Sequence, residues 1–187
     1  MTNRVGLFVV SRYERWLEMY PFRTKALSAS FLMGSSDLIA QTLEQRHSDR
    51  LCYDPLRTAR MLGIGLCSGG LMHFWYGLLN TKVKSLGPRG AITKVAFDQL
   101  VFAPISLPVV FFFSGVLLGH DISEIKNTFL TKYVDALTVN YFIWPISMLI
   151  NFRYVPARYQ VLWASTISLG WSVYLSTSAN KDKHQVD

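Results

Sequence analysis

Residues 140–176 read NYFIWPISMLINFRYVPARYQVLWASTISLGWSVYLS, and this stretch decides the fold class. Residues 136–152 carry no charged side chain, and neither do residues 159–180. A helix needs about 20 apolar residues to cross a hydrocarbon core about 30 Å thick. Because water-soluble domains rarely contain two such runs in succession, the sequence predicts a membrane protein.

The composition of the whole chain agrees with a lipid environment. Half of the 187 residues are hydrophobic and 17% are charged, whereas average globular chains carry about 25% charged residues. The formal net charge is +7, but the basic residues stand mainly at the ends of apolar runs. Cations at these places reach lipid headgroups. The predicted partner is therefore the lipid bilayer, and no direct contact with nucleic acid is expected.

Five apolar segments follow the N-terminal region, at residues 26–43, 61–81, 99–119, 136–152 and 159–180. Inside a bilayer each segment must satisfy its own backbone hydrogen bonds, which predicts helices. The predicted fold class is all-α, a polytopic helical membrane bundle of four to five spans. The count stays open because segment four is short. Segments four and five form either two spans, one broken element or a re-entrant pair.

Proline residues predict where these helices are interrupted. Pro104, Pro108 and Pro145 lie inside apolar segments, where proline removes a hydrogen bond and kinks or breaks a helix. We expect helix breaks at Pro145 and Pro156 in particular.

The first 22 residues form a pattern of their own. Apolar side chains such as Phe8, Trp16 and Leu17 recur at helical spacing, while Arg4 and Arg12 keep to the other side. This pattern predicts an amphipathic helix lying in the membrane interface. The expected organisation is an interfacial helix at residues 1–22, a single bundle domain at 23–180 and a polar tail at 181–187. A mitochondrial transit peptide shares the basic start and remains the alternative.

Small residues mark the faces on which helices approach each other. Gly65 and Gly69 stand four residues apart, as do Gly115 and Gly119. Such spacing predicts close helix packing in membranes. A homo-oligomer formed through one of these faces is a further possibility.

The sequence contains no catalytic signature. Its four histidines are scattered, with no metal-ligand spacing to each other or to a cysteine. Cys52 lies in a polar loop and Cys67 in an apolar run, which does not predict a disulfide; a redox-sensing role for Cys52 stays open. We expect a protein that is not an enzyme and that needs no cofactor or metal.

Polar residues within the apolar segments are the candidate functional residues. Asp37 and Gln41 are one helical turn apart, and a carboxylate at bilayer depth costs about 2.5–3.5 kcal/mol. Such groups either tie two helices together or line a pore. Asp98 at the mouth of segment three is either an ordinary interfacial acid or a functional group, and His73 within segment two is either a packing histidine or a proton-sensitive gate. The hypothetical pore-lining set is Asp37, Gln41, His73, Asp98, Asn140, Trp144, Ser147 and Asn151.

A polar stripe of four serines on segment five faces the same two interpretations. Ser165, Ser168, Ser172 and Ser176 recur at helical spacing, as do Asn140 to Asn151 on segment four. Two such stripes either line an aqueous path or form hydrogen-bonded seams between helices.

Several short motifs make the chain resemble a known family. They include Phe31-Leu32-Met33-Gly34, His73-Phe74-Trp75-Tyr76, Asp98-Gln99 and Ala103-Pro104, and the C-terminal block WPxxxxxNFxxVP followed by WxxYLS. With these motifs the chain resembles the Mpv-seventeen/peroxisomal-membrane-protein family from Trp16 to Ser176.

The resemblance implies a small multi-pass protein of the mitochondrial inner membrane or of the peroxisomal membrane, usually described as four-spanning. It further implies a gated, non-selective channel activity, a part in stress responses and maintenance of mitochondrial DNA. Our working hypothesis is a pore that modulates small-solute passage across the mitochondrial inner membrane. The alternative is a non-conducting scaffold, or a peroxisomal membrane protein affecting reactive-oxygen metabolism.

Two departures from the family pattern fall near the link between segments four and five. Met148 stands where the family usually has Gln, and Gln160 stands where it usually has Arg. Any mechanism that needs that Gln or Arg is in doubt for this chain.

Overall fold

The computed structural model describes residues 2–45, 53–85 and 87–183, with side chains described for 8, 10–45, 53–85, 87–117 and 119–173. These ranges contain no strand and form seven α-helices and one π turn. The all-α fold class is thus confirmed. Cys52 and the side chain of Ser176 lie outside the described parts. The elements are α1 Thr2–Met19, α2 Pro21–Gln45, α3 Pro55–Lys82, α4 Pro88–Phe97, the π turn Asp98–Phe102, α5 Ala103–Leu118, α6 Ile122–Tyr154 and α7 Gln160–Lys183.

The first helix, α1, is joined to α2 by a single residue. Pro21 begins α2, and proline suits this position because its fixed φ and missing N–H cost nothing there. Phe8 and Trp16 of α1 are exposed, while Leu17 is buried. Glu14 anchors α1 to the distant α6–α7 link by accepting a hydrogen bond from the Tyr159 hydroxyl at 2.5 Å. A location in the membrane interface remains a prediction.

Helices α2 and α3 form a closely packed antiparallel pair. A Cβ built on Gly65 would lie 2.7 Å from the carbonyl oxygen of Ala29, and one on Gly69 would lie 2.6 Å from the Cβ of Ala29. Glycine is therefore what allows the two backbones to approach. Helix α3 begins at Pro55, earlier than the apolar run that starts at Met61, because Asp54 caps it by accepting from the N–H of Leu56 at 2.9 Å.

Helix α6 continues through Pro145, where the sequence predicts a break. Helix α6 runs without interruption from Ile122 to Tyr154, through Pro145, and the chain leaves helical geometry only around Pro156. A proline inside a membrane helix is tolerated where neighbouring groups and local adjustments compensate the lost hydrogen bond. Segment four is thus part of one 33-residue helix, about 50 Å long, and α7 is a separate helix.

A capping box fixes the start of α6. Asp121 accepts from the N–H of Glu124 at 2.8 Å, and the Glu124 carboxylate accepts from the N–H of Asp121 at 3.1 Å. The hydrogen bond from the Glu124 backbone is the main cause that holds the pKa of the Asp121 carboxyl below its usual value. This helix start lies outside the apolar part of α6.

Within the described residues, three helical stretches are long and apolar enough to cross a membrane. They are Pro55–Lys82, Pro88–Leu117 and Ile122–Tyr154. Large apolar side chains cover the outside of the bundle, and Phe31, Leu100 and Phe142 each expose 70% or more of their surface. Such an outer surface fits lipid rather than water as the surrounding medium. The count of four to five spans stays a prediction.

Candidate functional site

A half-open cavity of about 680 Å³ lies between residues of α2, α3, the π turn, α5, α6 and α7. This volume is within the range of ligand-binding pockets, about 300–1,000 Å³. Its wall is largely apolar, with a group of polar side chains from four of these elements: Ser68, Asp98, Gln99, Asn140, Ser168 and Ser172. The cavity brings together residues that are far apart in the sequence.

Asp98 is the buried carboxylate of this cavity. It is 4% exposed and begins the π turn. Trp75 of α3 donates its indole N–H to Oδ1 at 2.9 Å, and the Gln99 amide donates to Oδ2 at 3.0 Å. The indole is itself stacked on Phe102, with ring centroids 5.1 Å apart. Asp98 is therefore held in one orientation by two neutral donors.

The π turn has a local cause in the sequence. Pro104 follows it after a single residue, Ala103, and a proline ring collides with the carbonyl four residues earlier in an α-helix. In the π turn the N–H of Ala103 bonds to the carbonyl of Asp98, five residues back, so the backbone register shifts just before the proline. π turns are frequent at functional sites. Here the turn carries both Asp98 and Gln99.

Two further oxygens of the cavity have no hydrogen-bond donor among the described residues. They are Oε1 of Gln99, a residue 7% exposed, and Oδ1 of Asn140 on α6. Leaving a buried acceptor unpaired costs about 1–3 kcal/mol. Such groups in a native fold call for water or a ligand as partner.

Charged residues stand at the more exposed side of the cavity, on α6. Lys132 and Asp135 both line it and are both exposed. They are three residues apart on one helix, hence on neighbouring positions of its surface. Their formal charges are opposite, which leaves Asp98 as the buried acidic group of the cavity.

Asp37 and Gln41 lie outside this cavity, in a network between α2 and α3. Oδ1 of Asp37 is 2.7 Å from Nε of Arg57, and Oδ2 accepts from Gln41 Nε2 and from the Thr58 hydroxyl, each at 2.7 Å. Arg57 also donates to Glu44 at 2.8 Å. Of the two interpretations of Asp37, the structure therefore shows the first: its carboxylate ties α2 to α3.

Ser147 and Asn151 are buried near the α6–α7 link. Asn151 is 0% exposed and donates to the carbonyl of Gln160 at 3.2 Å. Gln160 accepts from Asn80, which in turn accepts from Lys94 at 2.6 Å. These residues join α3, α4, α6 and α7.

Met148 and Gln160, the two departures from the family pattern, also contact residues of other helices. Met148 accepts from the Tyr76 hydroxyl at 3.4 Å, and Gln160 belongs to the chain of hydrogen bonds just described. Both residues therefore connect helices.

His73 contacts aromatic rings. Its ring centroid is 5.6 Å from that of Phe22 on α2 and 5.3 Å from that of Phe74. It is not among the residues that line the cavity. Of the eight predicted lining residues, the structure places Asp98, Asn140 and Trp144 at the cavity, and the pore-lining role itself remains a prediction.

Sequence reasoning did not single out Gln99, Ser68, Lys132 or Asp135 as site residues, although all four line the cavity. One signal was available for Gln99, an amide beside an acid, five residues before a proline in an apolar helix. Among the described residues, no three side chains of His, Cys, Asp or Glu are grouped so as to hold a metal ion.

The helices and the cavity together define a class of protein: a polytopic helical membrane protein with a largely apolar cavity that contains a few buried polar groups. The chain belongs to the Mpv17 / PMP22 family, whose model matches residues 115–176. It is 37% identical to "PXMP2/4 family protein 2" of Dictyostelium discoideum over 90% of each chain.

Two other relatives have names that state a membrane. The chain is 32% identical to "Mitochondrial inner membrane protein Mpv17" of Xenopus laevis, covering 90% of this chain and 96% of the relative. It is 29% identical to "Peroxisomal membrane protein 2" of Bos taurus, covering 90% and 88%. No solved structure matches the chain.

Proposed function

We propose that this chain is a channel- or pore-type protein that modulates the passage of small solutes across an organelle membrane, with the central cavity as part of the path. The observation that carries the proposal is the buried carboxylate of Asp98 at the cavity, with no ion pair among the described residues. Carboxylates within membrane segments are costly and typically face a partner or a water-filled space. Water or solute in the cavity supplies that contact.

The proposed membrane is the mitochondrial inner membrane. The basic N-terminal region and the name of the Xenopus laevis relative support it. The bovine relative supports the peroxisomal alternative. A fluorescent fusion of the full chain separates the two, and a signal confined to peroxisomes would overturn the mitochondrial assignment.

Recording from purified protein in planar bilayers tests conduction. We expect currents from the wild type, and a lower preference for cations over anions in Asp98→Asn. A unit charge about 5 Å from a passing ion contributes about 0.8 kcal/mol even in water, which corresponds to about a fourfold change. Glu18→Gln is the matched control, because it removes one charge from an exposed site on α1. The absence of current from well-folded wild type would contradict the channel and favour the scaffold.

The same recordings test the earlier hypothesis for Asp37. Asp37→Asn alters conductance if this residue contributes to the path. An unchanged current together with lower stability would show that Asp37 has only a structural role, as its ion pair with Arg57 indicates.

We further propose that any part in stress response or mitochondrial DNA maintenance follows from solute passage. In cells that lose mitochondrial DNA without this protein, the wild-type chain should restore its level and Asp98→Asn should not. Full restoration by a variant that conducts abnormally would contradict this link.

A further inference from the structure

The buried carboxyl group of Asp98 at this cavity has no cationic partner among the described residues. A carboxylate offers about four lone-pair positions, and the donors described for Asp98 are Trp75 and Gln99, both neutral. Burying an ionised carboxylate without a countercharge is expensive. The geometry therefore favours a positively charged occupant beside Asp98.

The other open positions of the cavity are acceptors as well. Oε1 of Gln99 and Oδ1 of Asn140 both lack a donor among the described residues. A ligand that satisfies these oxygens and Asp98 must donate several hydrogen bonds. Ammonium groups with N–H bonds do so and also bring a positive charge to Asp98, whereas quaternary ammonium groups have no N–H to donate.

Aromatic side chains complete the surroundings. Phe102, Phe111, Trp144 and Trp171 line the same cavity. Aromatic faces attract cations, and their apolar area suits a hydrocarbon body. At about 680 Å³ the cavity is also far larger than a bare metal ion needs.

We propose that the central cavity binds a small organic ammonium ion, whose N–H groups donate to Asp98, Gln99 and Asn140 while its apolar body packs on the aromatic wall. This inference rests on the proposed function, because it names the class of solute that the same cavity would accept. Binding itself requires no conduction, so the two are tested separately.

Titration of the purified full chain in detergent micelles, followed by tryptophan fluorescence, tests the proposal. The probes are benzylammonium, benzyltrimethylammonium and benzyl alcohol, which share a ring and differ in charge and N–H donors. We expect benzylammonium to bind about tenfold or more tightly than either of the others, since its N–H groups donate hydrogen bonds to a charged acceptor that the other two probes cannot make in the same way. Equal affinity for all three probes would overturn the proposal.

Two variants locate the binding. Asp98→Asn should weaken benzylammonium about tenfold and leave benzyl alcohol unchanged, while Glu18→Gln should change neither. Should Asp98→Asn fail to fold, Asn140→Ala removes an acceptor without touching the donors of Asp98, and it should weaken benzylammonium selectively. Unchanged binding in the folded cavity variants would overturn the assignment. Binding is measured in micelles and conduction in planar bilayers. Intact binding without currents would therefore refute only conduction, and currents without binding would refute only the ammonium site.

Discussion

At the scale of the residue, Asp37 and Asp98 show how one side-chain type takes different surroundings in one bundle. Asp37, with its side chain 1% exposed, pairs with Arg57 on the next helix. Asp98 is held by neutral donors at a cavity. The presence of a cationic partner distinguishes the two sites.

For Asp37 we predict a loss of stability on truncation. Asp37→Ala removes the acceptor for Gln41, Thr58 and Arg57. The expected cost is about 3 kcal/mol, at the low end for buried pairs, since Arg57 is one third exposed and keeps its bonds to Glu44. Reversible unfolding in mixed micelles measures it. A cost equal to that of Glu18→Gln, which loses an exposed carboxylate, would contradict the buried network.

Part of this network was predictable from sequence. The four-residue spacing placed Asp37 and Gln41 on one face, and the cost of a buried carboxylate required a partner or a cavity. The identity of that partner was not predictable. Arg57 lies in a stretch of mixed charge that reads as a polar loop, and it belongs to a helix because Asp54 and Pro55 start α3 there.

At the scale of the element, the α2–α3 pair depends on positions where a side chain does not fit. Gly65→Ala would bring its Cβ within 2.7 Å of the Ala29 carbonyl and the Ser30 Cα, so the helices must separate. We predict a loss of about 1–3 kcal/mol, typical of overpacking.

The matched control lies on the same helix. A Cβ at Gly77 meets nothing within 4 Å, so Gly77→Ala should be neutral, or stabilise by up to about 1 kcal/mol through helix propensity. The same unfolding measurement in micelles compares the two. Equal effects of Gly65→Ala and Gly77→Ala would mean that close approach at Gly65 does not stabilise the pair.

Element boundaries were less predictable than the elements themselves. Hydropathy located the apolar runs, but it says nothing of the polar first turns that caps add, as at Asp121 before α6. Pro145 predicted a break by its local effect, yet the structure continues α6 through it. At Pro104 the backbone instead shifts its hydrogen-bond register in a π turn. The sequence does not tell which of these two adjustments a proline in an apolar helix will cause.

At the scale of the whole molecule, the fold class follows from the sequence because hydropathy reports the solvent of each segment. The cavity does not follow, since it depends on which helices adjoin. Asp98 and Asn140 are 42 positions apart and line one cavity because α3, α5 and α6 pack around it. The sequence shows polar stripes on separate helices, but it does not show which of these stripes face one another.

The apolar exterior yields the last prediction. Phe142 on α6 is 79% exposed, and in water Phe142→Lys would be harmless. In lipid a lysine near the centre of a span costs about 2.5–3.5 kcal/mol, so this variant should reduce the insertion of α6, measured with glycosylation-site reporters on either side of the helix. Thr131→Lys is the control, since Thr131 is exposed on the charged N-terminal part of the same helix, near Lys132. Because α6 is longer than a hydrocarbon core is thick, that part extends beyond the lipid, and Thr131→Lys should insert like the wild type. Equal insertion of both variants, or carbonate extraction of the wild type, would mean that the exposed apolar surface faces something other than lipid.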